Sequence, residues 1–156
     1  MKELVILVSN IGGGKSTTAR KYQEKGYVVI ARDGLRYSIG GGNYIFNPKY
    51  EPIIWETELC MLDSFMELGV NIVIDEVGIN KAMRRRYIIP AKEYGYIVKC
   101  HLLPKLSMKE AVDRRMKNPH GQNNRKLWEQ VWNKFQSQYE ETSLAEGFDE
   151  IIKTIT

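Results

Sequence analysis

The sequence predicts an α/β fold in which a parallel sheet of about five strands carries helices on both faces. Short apolar, β-branched runs alternate along the chain with longer stretches of helix formers, a pattern typical of right-handed strand–helix–strand crossovers. The chain has 156 residues, of which 43% are hydrophobic, which is enough for one domain around one core. Neither a repeat nor a linker-like change of composition divides the sequence. We therefore predict a single domain over residues 1–156.

Five runs are predicted to be strands because each is short, continuous and apolar, as in strands buried on both faces. They cover residues 4–8, 27–31, 70–74, 96–102 and 151–155. Helix formers fill most of the intervals, and the predicted helices cover residues 15–25, about 50–67, 81–93 and about 108–117. Ser107 and Glu110 have the spacing of a capping box at the start of the helix at 108–117.

A last helix is predicted where Leu127, Val131, Phe135 and Tyr139 recur every four residues. Such an apolar stripe is more typical of a helix packed on a core than of a cofactor site, and we interpret it as packing. Residues 39–48 are the least regular segment, with three consecutive glycines beside two aromatic residues. This segment is either a mobile loop at the mouth of a ligand site or an ordinary surface loop.

The composition excludes several classes of protein. With 13 glycines, 5 prolines and 27% charged residues, the chain is neither disordered nor fibrous in character. Cys60 and Cys100 stand alone among apolar residues, so we expect free thiols in a reducing compartment, and neither His101 nor His120 has a partner at metal-ligand spacing. No run approaches the ~20 apolar residues of a membrane span. The net charge of +4 permits an anionic partner without requiring one. We expect a cytoplasmic protein with no membrane partner.

The most specific motif follows the first predicted strand directly and opens the first helix. Residues 9–16 read Ser-Asn-Ile-Gly-Gly-Gly-Lys-Ser, which matches the P-loop pattern except that Ser9 replaces its first glycine. Glycines allow successive backbone N–H groups to surround a phosphate, and the helix N-terminus adds partial positive charge. Lys15 is suited to reach the β- and γ-phosphates as a catalytic cation. The residues expected to bind ATP in this loop are Ile11, Gly12, Gly13, Gly14, Lys15, Ser16 and Thr17.

Two acids follow predicted strands, and both should lie near this loop because the carboxyl ends of parallel strands meet at one edge of the sheet. Asp75 follows the third strand and is predicted, together with the Ser16 hydroxyl, to bind Mg²⁺. Asp33 follows the second strand and is the predicted catalytic carboxylate that accepts the proton of an attacking hydroxyl. Arg36, one helical turn further on, is suited to hold an anionic group of the acceptor. In the alternative interpretation, Asp33 caps a helix and Arg36 is solvated.

These residues together resemble the kinase domain of polynucleotide 5′-kinases, and the resemblance covers most of the chain in the expected order. After the P-loop, residues 29–33 look like the family's strand-Arg-Asp segment, and residues 72–75 look like its next strand and acid. Residues 81–94 are similar to its arginine-containing helix, and residues 135–151, especially 139–149, are similar to its closing segment. The resemblance implies a P-loop NTPase fold in which Asp33 is the general base.

The resemblance also implies a small helical lid, at about residues 107–124, whose arginines close over ATP. Arg114 matches the first of these arginines and is the expected catalytic and ATP-binding residue of the lid. The second falls at Asn118, so the neighbouring Lys117 becomes the expected second ATP contact. The chain also departs from the family at Glu76, where relatives tend to have Thr or Asn, and this brings negative charge towards the acceptor.

The predicted function is that of an ATP- and Mg²⁺-dependent kinase, with the 5′-hydroxyl of DNA or RNA as the favoured acceptor. Arg36, Arg84 and Arg85 would hold acceptor phosphates, and Tyr37 and Tyr44 would stack on bases. One alternative is a kinase for a small acceptor, such as a nucleoside or another metabolite, which the mild net charge favours. Another is a regulatory module that binds nucleotide without an acceptor. The oligomeric state is left open.

Overall fold

A computed structural model of the protein describes residues 2–154 and contains five strands and six α-helices in that range. The strands are β1 (Glu3–Val8), β2 (Val28–Ile30), β3 (Ile72–Ile74), β4 (Ile97–Leu102) and β5 (Glu150–Lys153). The helices are α1 (Lys15–Glu24), α2 (Arg32–Ile39), α3 (Glu51–Leu68), α4 (Lys81–Glu93), α5 (Met108–Met116) and α6 (Arg125–Gln138). All strand pairs are parallel, in the order β2-β3-β1-β4-β5. The predicted α/β fold with a five-strand parallel sheet is confirmed.

β1 lies at the centre of the sheet because its side chains are apolar on both faces. Leu4, Ile6 and Val8 face a core formed with residues of α3 and α4. Val5 and Leu7 point to the opposite face and pack with α1. Each of these five side chains is at most 1% exposed. Helices therefore cover both faces, and the loops at the carboxyl edge of the sheet are free to form a site.

α3 is the longest helix of the described chain, with 18 residues and Pro52 in its first turn. It ends at Gly69, whose φ of 77° provides the left-handed conformation that terminates many helices. Its inward face is apolar except for Glu58, which is 1% exposed. No helix within residues 2–154 combines the length and the apolar character that crossing a membrane requires.

The structure differs from the prediction at several element boundaries. α2 was not predicted, because its first turn reads Arg32-Asp33-Gly34 and both aspartate and glycine are weak helix formers. β2 and β3 have three residues each and are shorter than the apolar runs that contain them. The last predicted strand included Ile155, which lies outside the described residues, and β5 ends at Lys153.

The interpretation of the apolar stripe as core packing holds for Tyr139, which packs against the main core, but it is wrong for α6 itself. None of its residues, all of which lie in the described part of the chain, is fully buried. Leu127, Trp128, Val131 and Phe135 instead line an open cleft above the carboxyl edge of the sheet. A four-residue apolar period identifies the face of a helix that meets apolar surroundings, but it does not distinguish a core from the wall of a binding site.

Candidate active site

The cleft above the carboxyl edge of the sheet has a volume of about 770 Å³, within the usual range for ligand pockets. Residues 11–17 form its floor, and Asp33 and Asp75 enter it from the ends of β2 and β3. Its other walls come from α6, from Tyr44 and Phe46, and from the segment over residues 107–124, which we call the lid. The structure therefore brings the P-loop residues, both predicted acids and the lid into one site.

The phosphate loop, residues 9–16, is held by close backbone approaches that only glycine allows. Gly12 has φ of 70°, and a Cβ atom there would lie 2.1 Å from the carbonyl oxygen of Ala111 in α5. A Cβ atom on Gly13 would lie 1.7 Å from the Ser9 hydroxyl oxygen. Ser9, which departs from the P-loop pattern, is therefore accommodated by the missing side chain at Gly13.

Lys15 lies at the N-terminus of α1, with its amine turned back into the loop. The Nζ atom donates a hydrogen bond to the Asn10 carbonyl oxygen at 2.9 Å. Burial lowers the pKa of Lys15 to about 8, although the nearby Asp75 carboxylate acts in the opposite direction. Asn10 is fixed in turn by its amide, which donates to the Trp132 carbonyl oxygen of α6 at 3.0 Å. The ligand-free loop thus holds a partly desolvated amine ready for an anionic partner.

Ser16 and Asp75 meet at the floor of the cleft, as predicted for a cation site. The Ser16 hydroxyl donates a hydrogen bond to Asp75 Oδ2 at 3.2 Å. Burial raises the pKa of Asp75, while Lys15 and the Ser16 hydrogen bond oppose that rise. Residues 2–154 hold no group of three or more His, Cys, Asp or Glu side chains that could bind a metal ion by themselves. One hydroxyl and one carboxylate fit Mg²⁺, which usually takes its other ligands from water and substrate phosphates.

Asp33 stands on the opposite wall at the start of α2, and its two carboxylate oxygens have different partners. Oδ1 accepts hydrogen bonds from Arg36 Nη1 at 2.7 Å and from the Tyr44 hydroxyl at 2.9 Å. Oδ2 faces His120 Nε2 of the lid at 3.7 Å. Burial tends to raise the pKa of Asp33, but the hydrogen bonds from Tyr44 and Arg36 and the charge of Arg36 act in the opposite direction, and the pKa lies below its ordinary value. Asp33 is therefore an ionised carboxylate that faces the cleft.

Arg36 is less available to a ligand than the sequence suggested. Its Nε atom donates to Glu51 Oε2 at 3.1 Å, its Nη2 atom donates to Glu51 Oε1, and its Nη1 atom binds Asp33. The residue as a whole is 8% exposed. The guanidinium thus lies between two carboxylates that already offset its charge.

Glu76 is also paired, and it does not present a free negative charge to the cleft. Its carboxylate accepts from the backbone N–H of Arg32 at 2.7 Å and from Arg32 Nη2 at 3.0 Å. Behind this pair lies Glu58, whose Oε1 accepts from the Tyr87 hydroxyl at 2.8 Å. Burial and the neighbouring Glu76 raise the pKa of Glu58, so Glu58 is the protonated member of the two acids.

The lid presents a different pair of cations from the pair predicted. Arg114 lines the cleft and is exposed, as expected for a residue that meets a ligand. Lys117 is exposed and, among the described residues, does not belong to the cleft wall, whereas Arg115 does. Arg115 Nε is buried without a hydrogen-bond partner in residues 2–154, and burial lowers the pKa of this guanidinium. Arg115 was not predicted because the family pattern matches the neighbouring Arg114, although both arginines lie in the same turn of α5.

The assignment of Arg84 to acceptor binding is wrong. Arg84 is 0% exposed and donates to Glu146 Oε1 at 2.8 Å and to the Gly78 carbonyl oxygen at 2.8 Å. Its Nη2 atom also reaches the carbonyl oxygens of residues 140 and 141. Through these hydrogen bonds, Arg84 connects the closing segment of the chain with the loop after β3. Arg85 is exposed on α4 away from the cleft wall of the described chain, so its contact with a long acceptor stays a prediction.

Comparisons with known proteins identify the family and the fold of the chain. A family model described as an AAA domain, AAA_33, matches residues 4–142. Two chains from structures of the Pnkp1/Rnl/Hen1 RNA repair complex are 24% and 21% identical to this chain, with TM-scores of 0.62 and 0.69. The matches cover 72% and 95% of this chain but only 38% and 46% of those chains, so it spans less than half of their length.

Two small-molecule kinases match over nearly the whole chain. APS kinase CysC from Mycobacterium tuberculosis is 15% identical with a TM-score of 0.60, and the match covers 97% of this chain and 88% of that one. Shikimate kinase from Acinetobacter baumannii is 18% identical with a TM-score of 0.61, and the match covers 100% and 86%. At these identities the likeness shows the fold, which is the α/β P-loop kinase fold.

Proposed function

Since the chain belongs to the AAA_33 family of AAA domains, we propose that it is an ATP-dependent phosphotransferase that acts on a hydroxyl acceptor. One observation carries the proposal: the phosphate loop, the Ser16–Asp75 pair and the Asp33 carboxylate all line one cleft. A nucleotide-binding module without an acceptor would have no use for an ionised carboxylate on the wall opposite Lys15.

In this proposal, the loop and the lid neutralise the phosphate charge from both sides. The backbone N–H groups of residues 11–17 and the amine of Lys15 contact the phosphates from the floor of the cleft. Arg114 and Arg115 approach from the lid, where a guanidinium offers several donors to one phosphoryl group. Ser16 and Asp75 would hold Mg²⁺ with the bound nucleotide, and its charge would further stabilise the transferring group.

Asp33 is the general base of the proposed reaction. The acceptor oxygen forms a bond to the γ-phosphorus while the bond from that phosphorus to the β–γ bridging oxygen breaks, and ADP leaves. The hydroxyl proton passes to Asp33 Oδ2, because Oδ1 already accepts two hydrogen bonds. The low pKa of Asp33 keeps it ionised at neutral pH, which a proton acceptor requires.

The acceptor that we favour is the 5′-hydroxyl of a nucleic acid. The order of segments that resembles polynucleotide 5′-kinases supports it, and so does the aromatic character of the wall near Asp33. Tyr44 and Phe46 line the cleft there, and Trp128 of α6 also belongs to its lining. Aromatic faces beside a cation suit the exposed base at a single-stranded end.

A small, weakly charged acceptor is the second candidate, and a specific observation favours it. Arg36 is engaged by Glu51 and Asp33, and Arg84 is buried away from the cleft, so two of the three cations expected to hold acceptor phosphates are committed elsewhere. Kinases for small acceptors, as the names of APS kinase and shikimate kinase indicate, share this fold.

The test is transfer of labelled γ-phosphate from Mg²⁺-ATP, offered side by side to 5′-hydroxyl DNA, 5′-hydroxyl RNA, nucleosides and water. We expect label on an oligonucleotide, suppressed by salt because acceptor phosphates are contacted. Label on nucleosides alone would select the second candidate. Bound ATP with no labelled acceptor would refute phosphotransfer to any of the acceptors offered.

Two variants and their matched controls connect transfer with the site. Asp33→Asn should lower transfer by about 100-fold or more, the usual contribution of a general base, and leave ATP binding intact. Asp63→Asn is its control, because Asp63 also accepts from a tyrosine, Tyr94, but lies outside the cleft. Lys15→Met should abolish ATP binding and transfer together, whereas exposed Lys21→Met should change neither.

A further inference from the structure

His120 spans the cleft from the lid to the wall that carries Asp33. Its imidazole Nδ1 lies 2.5 Å from the Tyr37 hydroxyl of α2, and its Nε2 lies 2.6 Å from Arg115 Nη1 of α5. The ring stacks on Tyr44 with the centroids 4.6 Å apart. A side chain that is 12% exposed thus joins three separate elements around the proposed base.

The backbone at this position is held in an uncommon conformation. His120 is the one non-glycine residue of the described chain with a left-handed backbone, at φ of 50°. Such a conformation is disfavoured for a residue with a Cβ atom, and it persists where surrounding contacts compensate for it. In this conformation the imidazole contacts Tyr37, Tyr44 and Arg115.

The contacts require one protonation state of the ring. Arg115 Nη1 can only donate, so Nε2 must carry no proton and accept from it. A neutral imidazole then carries its proton on Nδ1 and donates to the Tyr37 hydroxyl oxygen. Burial and Arg115 both lower the pKa of His120, which favours this neutral form.

The ring also faces the oxygen of Asp33 that remains for the acceptor. Oδ1 is occupied by Arg36 and Tyr44, whereas Oδ2 accepts no hydrogen bond from residues 2–154 and lies 3.7 Å from His120 Nε2. Displacement of His120 would leave Arg115 with only its contacts to Asn118 and Trp128, and it would remove one side of the space beside Oδ2.

We propose that His120 is a positioning residue that holds the lid, and Arg115 with it, against the wall that carries Asp33. The proposal rests on the proposed function, because its purpose is to fix the acceptor hydroxyl between Oδ2 and the phosphate that Arg115 contacts. His120 takes no proton from the acceptor and makes no bond to phosphorus. It acts by keeping the Asp33 carboxylate and the Arg115 guanidinium at a fixed distance from each other during transfer.

The charged and titratable groups that face His120 make its contacts sensitive to acid. Asp33, Arg36 and Tyr37 face it from α2, Tyr44 faces it from the loop that follows, and Arg115 faces it from α5. Protonation at Nε2 would set a donor against the donor of Arg115 and break that contact. Transfer should therefore fall as the pH drops through the pKa of His120, which lies below 6.5.

Two variants separate the hydrogen bonds of His120 from its ring. His120→Phe keeps the stacked ring but removes both nitrogens, and we expect kcat to fall by about tenfold or more, because the charged donor Arg115 loses its acceptor. The KM for ATP should change less than kcat does, because the phosphate loop is untouched and still contacts the phosphates when Arg115 is displaced. His120→Gln offers an amide oxygen to Arg115 and should recover most of kcat without titrating in mild acid.

The control is His101→Gln, because His101 is also half-buried, with both ring nitrogens bonded to hydroxyls, but lies away from the cleft wall. It should leave kcat and the acid limb of the pH profile unchanged. ¹⁵N NMR of the unliganded protein gives a readout independent of activity, and it should show His120 protonated at Nδ1 and not at Nε2.

Several results would overturn the proposal. They are wild-type kcat in His120→Phe, an unchanged acid limb in His120→Gln, or a proton on Nε2 by NMR at neutral pH. A loss of kcat that merely parallels a loss of ATP affinity and melting temperature would reduce His120 to a structural role. If wild-type protein transfers phosphate to no acceptor, the proposed function fails first and this proposal fails with it.

Discussion

Arg84 should contribute to stability and not to acceptor binding. Replacing it by Met keeps much of the volume of the side chain but removes every donor of a guanidinium that is 0% exposed. The variant leaves the Glu146 carboxylate, whose side chain is 8% exposed, without its cation, and it also leaves the Gly78 carbonyl oxygen without its donor. The closing segment of the chain would then lose its main attachment to the loop after β3.

The size of the effect follows from these contacts. Breaking a buried ion pair by removing one partner costs about 3–5 kcal/mol, because the remaining charge stays desolvated. For a domain of this length, that corresponds to a fall in melting temperature of roughly 6–20 °C. Arg85→Met, one residue further along α4, is the control, because exposed Arg85 should change stability by less than about 0.5 kcal/mol.

The assay is urea unfolding followed by circular dichroism, combined with phosphate transfer measured well below the unfolding midpoint. We expect a lower midpoint for Arg84→Met with near-normal transfer per folded molecule. Glu146→Gln combined with Arg84→Met should recover part of the loss, because the uncompensated charge is removed. An unchanged midpoint together with a raised KM for the acceptor would refute this reasoning and return Arg84 to the acceptor site.

Three further predictions concern the cleft and its surroundings. Gly12→Ala should weaken ATP binding by about tenfold or more in calorimetry, because its Cβ atom would lie 2.1 Å from the carbonyl oxygen of Ala111; unchanged affinity would contradict that close approach. ATP affinity should fall as the pH rises through about 8, where Lys15 loses its charge in the free protein. Lys15→Arg should keep a pH-independent charge, so an equally steep fall in that variant would exclude Lys15 as the cause. Burial raises the pKa of Glu58 above 4.5, so the folded state retains a proton that the unfolded state releases. The free energy of unfolding should therefore fall as the pH rises above 4.5. Glu58→Gln should flatten this slope in urea titrations, whereas exposed Glu56→Gln should leave it intact.

The sheet and the phosphate loop could be predicted because their signals are local. Residues 4–8 are apolar without interruption, and in this chain that run is buried on both faces. The spacing from Ser9 to Ser16 places a lysine and a hydroxyl at a helix N-terminus whatever the rest of the chain does. Asp33 and Asp75 followed from a topological rule, since strand ends share one edge of a parallel sheet.

The errors arose where partners lie far apart in the sequence. The sequence around Arg84 is typical of a solvated basic run. The fold nevertheless places Glu146, which is 62 residues further along the chain, beside Arg84. Arg36 is likewise paired by Glu51 from a different helix, and the sequence carries no local sign of that pairing. His120 resembles a turn residue beside Pro119, because its contacts with Tyr37 and Tyr44 depend on how the lid folds over the sheet.

The contact between Gly12 and α5 has a consequence for how the protein exchanges its nucleotide. At Ala111 the lid helix touches the phosphate loop backbone to backbone, so no rotamer change can absorb relative movement there. Movement of the lid relative to the phosphate loop should then be smallest near Ala111 and larger towards the end that carries His120. If the proposed function holds, movement of that end would admit the acceptor and release ADP. A single opening of the lid would then control both acceptor entry and ADP release, and turnover would follow the rate of lid opening.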